Sequence, residues 1–248
     1  MIDLSSISAK QETWWRVIGS SNRSLIQAEA QRALTGCASA LAVLVENLNE
    51  VGYPWAATTK LAAGDIEKNV RTIESTLGAQ IPPVLSFFWQ TNGGVSLVDL
   101  ENYQHVNFWK DHGVHSPLGF CDGLHVDPCT REWADFICRD YFDWKEFNCQ
   151  DESEEMPFLL SLSPDGYHKD NISGGGAYGV YVGSSWTPDW ANFEWSGFAR
   201  PATAPPGAPD FLTYLRTTIL ECAGFPAFLG SALFNPLKER LLQGVSLF

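Results

Sequence analysis

Four of the five histidines and two of the six cysteines fall close together: His105, His112, His115, Cys121, His125 and Cys129 lie within about 25 residues. Imidazole nitrogen and thiolate sulfur are the donors that tetrahedral zinc takes, and proteins usually deliver them as tight pairs such as Cys-x2-Cys or His-x3-His. His112-x2-His115 is close to such a pair, whereas the cysteines come singly. The cluster reads either as the centre of a metal-binding regulator or enzyme, or as unrelated surface histidines beside core thiols.

A second set of chemical groups lies downstream. His168 stands between Asp165 and Asp170, a set that can move a proton, although a loop histidine hydrogen-bonded to its neighbours has the same composition. Gly174-Gly175-Gly176 lacks the spacing and the lysine of a P-loop, and only Lys169 is near to oppose phosphate charge, so turn geometry explains it better. No Gly-x-Ser-x-Gly elbow or His-Glu-x-x-His helix occurs. No catalytic residue, cofactor or metal is assigned from these patterns. Carboxylate pairs that meet only in space leave no mark in the spacing.

The run Asp151-Glu152-Ser153-Glu154-Glu155 follows Trp144 and Phe147. Its bland reading is a solvated loop. Four carboxylates beside aromatic anchors are also the composition of a surface that steers and holds a protein carrying lysine and arginine. Asp151, Glu152, Glu154, Glu155 and Trp144 are therefore the candidate partner-binding residues. The whole chain agrees in sign, with 29 acidic against 16 basic side chains over 248 residues and a formal net charge of -13. Phosphate binding needs clustered Lys and Arg, so nucleic acid is not expected as a partner, whereas a basic protein would be drawn in by the long-range field. Acidity that only keeps the chain soluble has the same signature.

Several elements must position these groups. Ser24-Leu25-Ile26-Gln27 supplies a capping box, and Leu34, Cys37, Leu41, Leu44, Leu48 and Val51 recur at spacings of three and four until Gly52-Tyr53-Pro54. That stripe is the buried face of a helix or, read as heptads, a self-association seam of a scaffold protein. Trp55 to Gly64 reads as a linker. Asp65 is the expected N-cap of a helix with Ile66, Val70, Ile73 and Leu77 on one face and Gly78 at its exit. Pro82 and Pro83 open a further helix burying Leu85, Phe88 and Trp89, which ends at Asn92-Gly93-Gly94 before a strand from Val95. From Glu101 to Gln150 the aromatic density predicts short strands and packed loops. Met156 to Leu162 and Tyr178 to Gly183 read as two core strands joined by the loop of Ser163 to Gly176, and Trp186 to Phe198 as one more. Pro201 to Pro209 forms a turn or extended crossing, Asp210 caps a helix with Phe211, Leu212, Leu215 and Ile219 on one face, and Pro236 to Leu242 closes the chain as a short helix.

No membrane span is expected, because the longest helical stretch carries Glu46, Asn47, Asn49 and Glu50. Met1 to Lys10 lacks the apolar core of a secretion signal. Six dispersed cysteines fit reduced thiols in a cytoplasm, although an even count leaves pairing open.

Two motifs carry a family resemblance. Ser163-Pro164-Asp165, then His168-Lys169, then Asn171-Ile172-Ser173-Gly174-Gly175 and an aromatic resembles the central signature of the SUKH superfamily, the Smi and Knr-like proteins. Ile73-Glu74, Leu77-Gly78, Ile81-Pro82, Leu85, Phe87-Phe88 and Asn92-Gly93-Gly94 resemble its amino-terminal element, and Phe211 to Arg216 its carboxy-terminal Phe-x-x-Tyr-Leu-Arg helix. The likeness spans Asp65 to Leu220. It implies an α+β fold, a mainly antiparallel sheet covered on one face by helices, which we assign to residues 64-248; residues 1-63, like those from Cys222 onward, lie outside the resemblance, and 1-63 read as an extra helical segment packed on the domain. The resemblance brings no metal or cofactor. It implies a non-enzymatic binding protein of the cytoplasm, in the family's bacterial branch an immunity protein that neutralises a toxin, often a nuclease, by direct contact.

Overall fold

The computed structural model describes residues 3–20, 22–99, 102, 104–114, 123–148, 158–162, 179–182, 211–225, 228 and 235–248. The helix α1 (Leu4–Gly19) leads into α2 (Arg23–Glu50), about 42 Å long for its 28 residues. Asn22, not Ser24, caps α2, its side chain accepting from the Leu25 amide, because the helix begins two residues earlier than a Ser24 cap requires. The expected stripe faces inward: Leu34, Cys37, Leu41, Leu44 and Leu48 are all buried, joined by Ile26, Ala30, Ala33 and Ala40. α2 packs against α1 and against α4, β1, α7 and α8 defined below, so its apolar face is covered by this chain itself.

Gly52 takes a positive φ of 89° beyond α2. Tyr53 then turns into the core, donating its hydroxyl to the Leu97 carbonyl and lying 5.0 to 5.7 Å from the rings of Trp55, Phe108, Trp109 and Phe225. The expected linker is a strand in its middle, β1 (Ala57–Thr59). The next helix, α3 (Ala63–Leu77), starts two residues before Asp65, which lies in its first turn rather than capping it, and Ala62 holds the cap position without a side-chain bond. Ile66, Val70, Ile73 and Leu77 are buried and Gly78 exits left-handed, as the spacing predicts.

Pro82 and Pro83 open α4 (Pro83–Asn92), whose Leu85, Phe88 and Trp89 are buried. Asn92 is buried and donates its side-chain amide to the Leu34 carbonyl on α2. Gly93 takes φ 76° and hands the chain to β2 (Gly94–Ser96). A Cβ on Gly93 would lie 1.7 Å from the Thr59 carbonyl oxygen, and one on Gly94 would lie 2.6 Å from Pro128. The glycines are thus what lets β1 close on β2.

Among its described residues, the segment expected to be strands and packed loops holds two helices, α5 (His105–Asp111) and α6 (Arg131–Asn148), and only a two-residue strand, β3 (His125–Val126). Trp133, Ala134, Ile137, Cys138, Tyr141 and Trp144 recur at helical spacing on the inner side of α6, but Phe136, Phe142 and Phe147 on its outer side blur that period in the sequence. β1, β2 and β3 form an antiparallel sheet in that order, pairing Ala57 with Ser96 and Ser96 with His125. A second antiparallel pair joins β4 (Phe158–Ser161) to β5 (Gly179–Val182), the two strands read on either side of the glycine-rich loop. The Asp127 amide donates to the Leu162 carbonyl, which ties the end of one sheet to the other. The architecture is α+β.

Helix α7 (Phe211–Arg216) continues into a π-helical turn at Thr217–Glu221, and α8 (Asn235–Leu241) follows. Residues 211–220 are buried on every side, not on one face, because α7 lies among α2, α4 and the π-helical turn. Arg216 at its end is fully buried. It donates from Nε to the Phe248 carbonyl oxygen at 2.8 Å and from Nη1 to the Lys10 carbonyl at 3.2 Å. The strand expected over 186–198 and the proline-rich 201–209 lie outside the described residues.

Gly93→Ala is expected to cost more than about 2 kcal/mol, since it adds left-handed strain to a backbone clash at the β1 to β2 seam. Urea unfolding of the two chains checks this, with Gly52→Ala, whose Cβ meets nothing within 4 Å, as the comparison that carries strain alone.

Candidate functional site

The histidines and cysteines of residues 105–129 do not converge among the described residues. His105 opens α5 at zero exposure, its ring edge-on to Trp55 at 6.5 Å. Asp99 sits beside it, its carboxylate accepting from the Asn102 and Gln104 amides at 3.0 Å each. Burial pushes the His105 imidazole below its ordinary value, with Asp99 opposing. His112 lies at the far end of the same helix, its ring over Phe108 at 4.0 Å and its Nδ1 2.9 Å from the Phe108 carbonyl.

His125 belongs to the sheet. Its Nδ1 is 3.0 Å from Ser96 Oγ across the β2 to β3 pair, and its Nε2 is 3.2 Å from Asp127 Oδ1. Serine, histidine and aspartate in such reach raise the question of nucleophilic catalysis. The Ser96 hydroxyl also lies 3.2 Å from the Val98 carbonyl, which competes with the imidazole for its proton. That arrangement links β2 to β3 through the His125 side chain. Cys129 is fully buried, and burial pushes its thiol up to about 12, which keeps it protonated and poor as a metal ligand or nucleophile. His115 and Cys121 lie outside the described residues. Among the described residues no three His, Cys, Asp or Glu side chains come together as a metal-binding group.

Of the motif residues, Asn92, Gly93 and Gly94 form the seam between α4 and the sheet. Ser163, Pro164, Asp165, His168, Asn171, Ser173, Gly174 and Gly175 lie outside the described residues, as do Asp151, Glu152, Glu154 and Glu155. Trp144 turns inward: its ring stacks on Tyr141 at 6.0 Å and meets Phe158 edge-on at 5.6 Å, so it braces α6 against β4.

What α6 presents to solvent is different. Phe136, Phe142 and Phe147 are 40%, 59% and 75% exposed, and among the described residues the other exposed large apolar side chains are only Leu4 and Leu25. They stand among Glu132, Asp135, Asp143 and Glu146, also exposed, with Arg131, Arg139 and Lys145 as the basic members of the helix. From Arg131 to Glu155 the sequence has nine acidic and three basic side chains, close to half of the net charge of the chain in a tenth of its length. Aromatic side chains exposed in an acidic field have no use in the core, and water penalises them unless another surface covers them. The sequence does not single out Phe136 and Phe142, because aromatics on both sides of α6 mask its helical period. Once a helix is drawn over 131–148, Trp133, Ile137, Tyr141 and Trp144 take the inner side and the remaining aromatics fall outside.

Hollows lined by described residues elsewhere carry less chemistry. Two flank the α3 to α4 turn around Arg71, Glu74 and Gln80, and another holds Lys68 and Arg131 between α3 and α6. Glu74 is already engaged, accepting from the Ile81 amide at 3.0 Å, and Arg131 lies 3.8 Å from Asp135. No helix among the described residues is long and apolar enough to cross a membrane. Compared with known proteins, the chain matches no family model, no curated protein and no solved structure.

The buried imidazole gives a pH test. The folded chain resists protonation at His105 while the unfolded chain takes a proton near the ordinary 6.5. Its neutral form is therefore fully accommodated above that value, and stability drains away as the pH falls through it. His105→Phe is expected to flatten the decline of the melting temperature between about pH 7.5 and pH 5.5, as read by calorimetry.

Proposed function

We propose that the chain is a non-enzymatic protein-binding module that neutralises a cognate toxin, a basic protein such as a nuclease domain, by occupying it. One observation carries the reading: α6 holds three exposed phenylalanines in the most acidic part of the sequence. Aromatic anchors ringed by carboxylates are the makings of an interface for a lysine- and arginine-bearing surface, in which the rings supply affinity and the charges supply encounter rate and choice of partner. The net charge of -13 supports the same partner class and opposes nucleic acid and anionic lipid alike. The SUKH resemblance of residues 65 to 220 supports the neutralising role.

The test uses the product of the neighbouring gene in the source genome as bait. The chain is expected to capture it at about 0.1 M salt and to release most of it at about 1 M, as the screening length shrinks from about 10 Å to about 3 Å. Co-expression is expected to restore growth to cells carrying that product. Absence of capture at both salt levels would overturn the reading.

A further inference from the structure

We infer that the outer stripe of α6, running from Glu132 through Phe136 and Asp143 to Phe147, is the docking surface itself, and that its occupant is a basic amphipathic segment of a protein partner. The inference rests on the proposed binding function and specifies where and what it binds. At 100° per residue these four positions fall within about 60° of one another on the helix. Phe136 and Phe147 stand three turns apart, about 16 Å along the axis. Phe142 lies on the opposite flank of the exposed arc, so the two rings of the stripe form the ends of one row, with Asp143 between them and Glu132 beyond. All four side chains are exposed.

The occupant follows from the charge. A second copy would bring its own net charge of -13 against the same acids, and a nucleic acid or an anionic lipid surface would bring phosphates. Each is repelled. A segment with apolar side chains on one face and arginines on its edges meets both requirements. Its apolar face covers Phe136 and Phe147, and its guanidinium groups reach Glu132 and Asp143 or lie over the rings. Arg139 does not reverse the sign, since α6 carries Glu132, Asp135, Asp140, Asp143 and Glu146 against Arg131, Arg139 and Lys145. Trp144, turned in against Phe158, packs the helix on β4 from beneath.

The probe is a fluorescein-labelled helical peptide of about 16 residues, long enough to span the row, with leucines along one face and arginines on its flanks. Anisotropy titrations of the full chain are expected to show saturable binding at low salt. Phe136→Ala with Phe147→Ala is expected to weaken it about tenfold or more. Glu132→Gln with Asp143→Asn should weaken it and flatten its salt dependence, while Glu46→Gln with Glu50→Gln, the same change of charge on the exposed side of the last turns of α2, leaves it unchanged. In the unaltered chain, amide exchange over 136–147 should slow when peptide is added, a readout that needs no variant. The inference falls if the peptide does not bind, if the phenylalanine pair binds as well as the unaltered chain, or if the α2 charge pair costs as much as the α6 pair. Capture of the neighbouring gene product that survives the phenylalanine substitutions would sink this surface and leave the proposed function standing. Peptide binding on the stripe without any such capture would do the reverse.

Discussion

A guanidinium with no exposed surface must find every bond inside the protein, and Arg216 draws distant parts of this chain together to do so. Burying such a charge costs several kcal/mol after relaxation, a deficit that only good geometry offsets. Its Nε bonds to the Phe248 carbonyl and its Nη1 to the Lys10 carbonyl, while Nη2 lies 3.9 Å from Glu29, which also pairs with Arg32. One side chain thus joins α1, α2, α7 and residue 248. Gly36 completes the arrangement, since a Cβ there would lie 2.6 Å from that of Phe248. The surroundings register the charge: Lys10 is held below its ordinary value, by burial first and then by Arg32 and Arg216.

With that anchor in place, α2 becomes the spine of the fold. Its long buried face leaves no seam for a partner, and the aromatic cluster around Tyr53 fills the space between α2 and the small sheet. The polar chemistry of the interior is consumed in the same way. Asn69 donates to the Cys129 carbonyl, Asn92 to the Leu34 carbonyl, and Trp89 Nε1 to the Asp127 carbonyl. Buried polar groups that must be satisfied are poor candidates for reaction and good devices for holding one arrangement of elements.

The contrast is α6. Its inner side obeys the rule the rest of the chain follows, and its outer side departs from it with exposed rings among carboxylates. A departure from apolar-inside patterning in an otherwise consistent molecule is where a function is sought. The fold does its part by bracing α6 against α3 and β4, which presents the outer side on a rigid support.

Local features were legible in the residues alone. The stripe from Leu34 to Leu48, the prolines that open α4, the glycine with positive φ that ends it and the strands flanking the glycine-rich loop all follow from period, propensity and φ/ψ preference within a few residues. The acidic run of residues 151–155 and the aromatics Trp144 and Phe147 before it were equally plain. What the sequence could not decide was which of its aromatics would face out. Trp144, the expected anchor, turns to Phe158, and Phe136 and Phe142 take the surface, because that choice is made by the elements α6 leans on. The same holds for β1, which becomes a strand only because Gly93 admits the Thr59 carbonyl, and for Arg216, whose bonding partner Lys10 is 206 residues away. It holds too for His105, His112 and His125, which sequence proximity gathered and the fold disperses. Periodicity reports the side a residue turns toward its own element; burial and pairing depend on surfaces contributed from elsewhere in the chain, and only the folded arrangement supplies those.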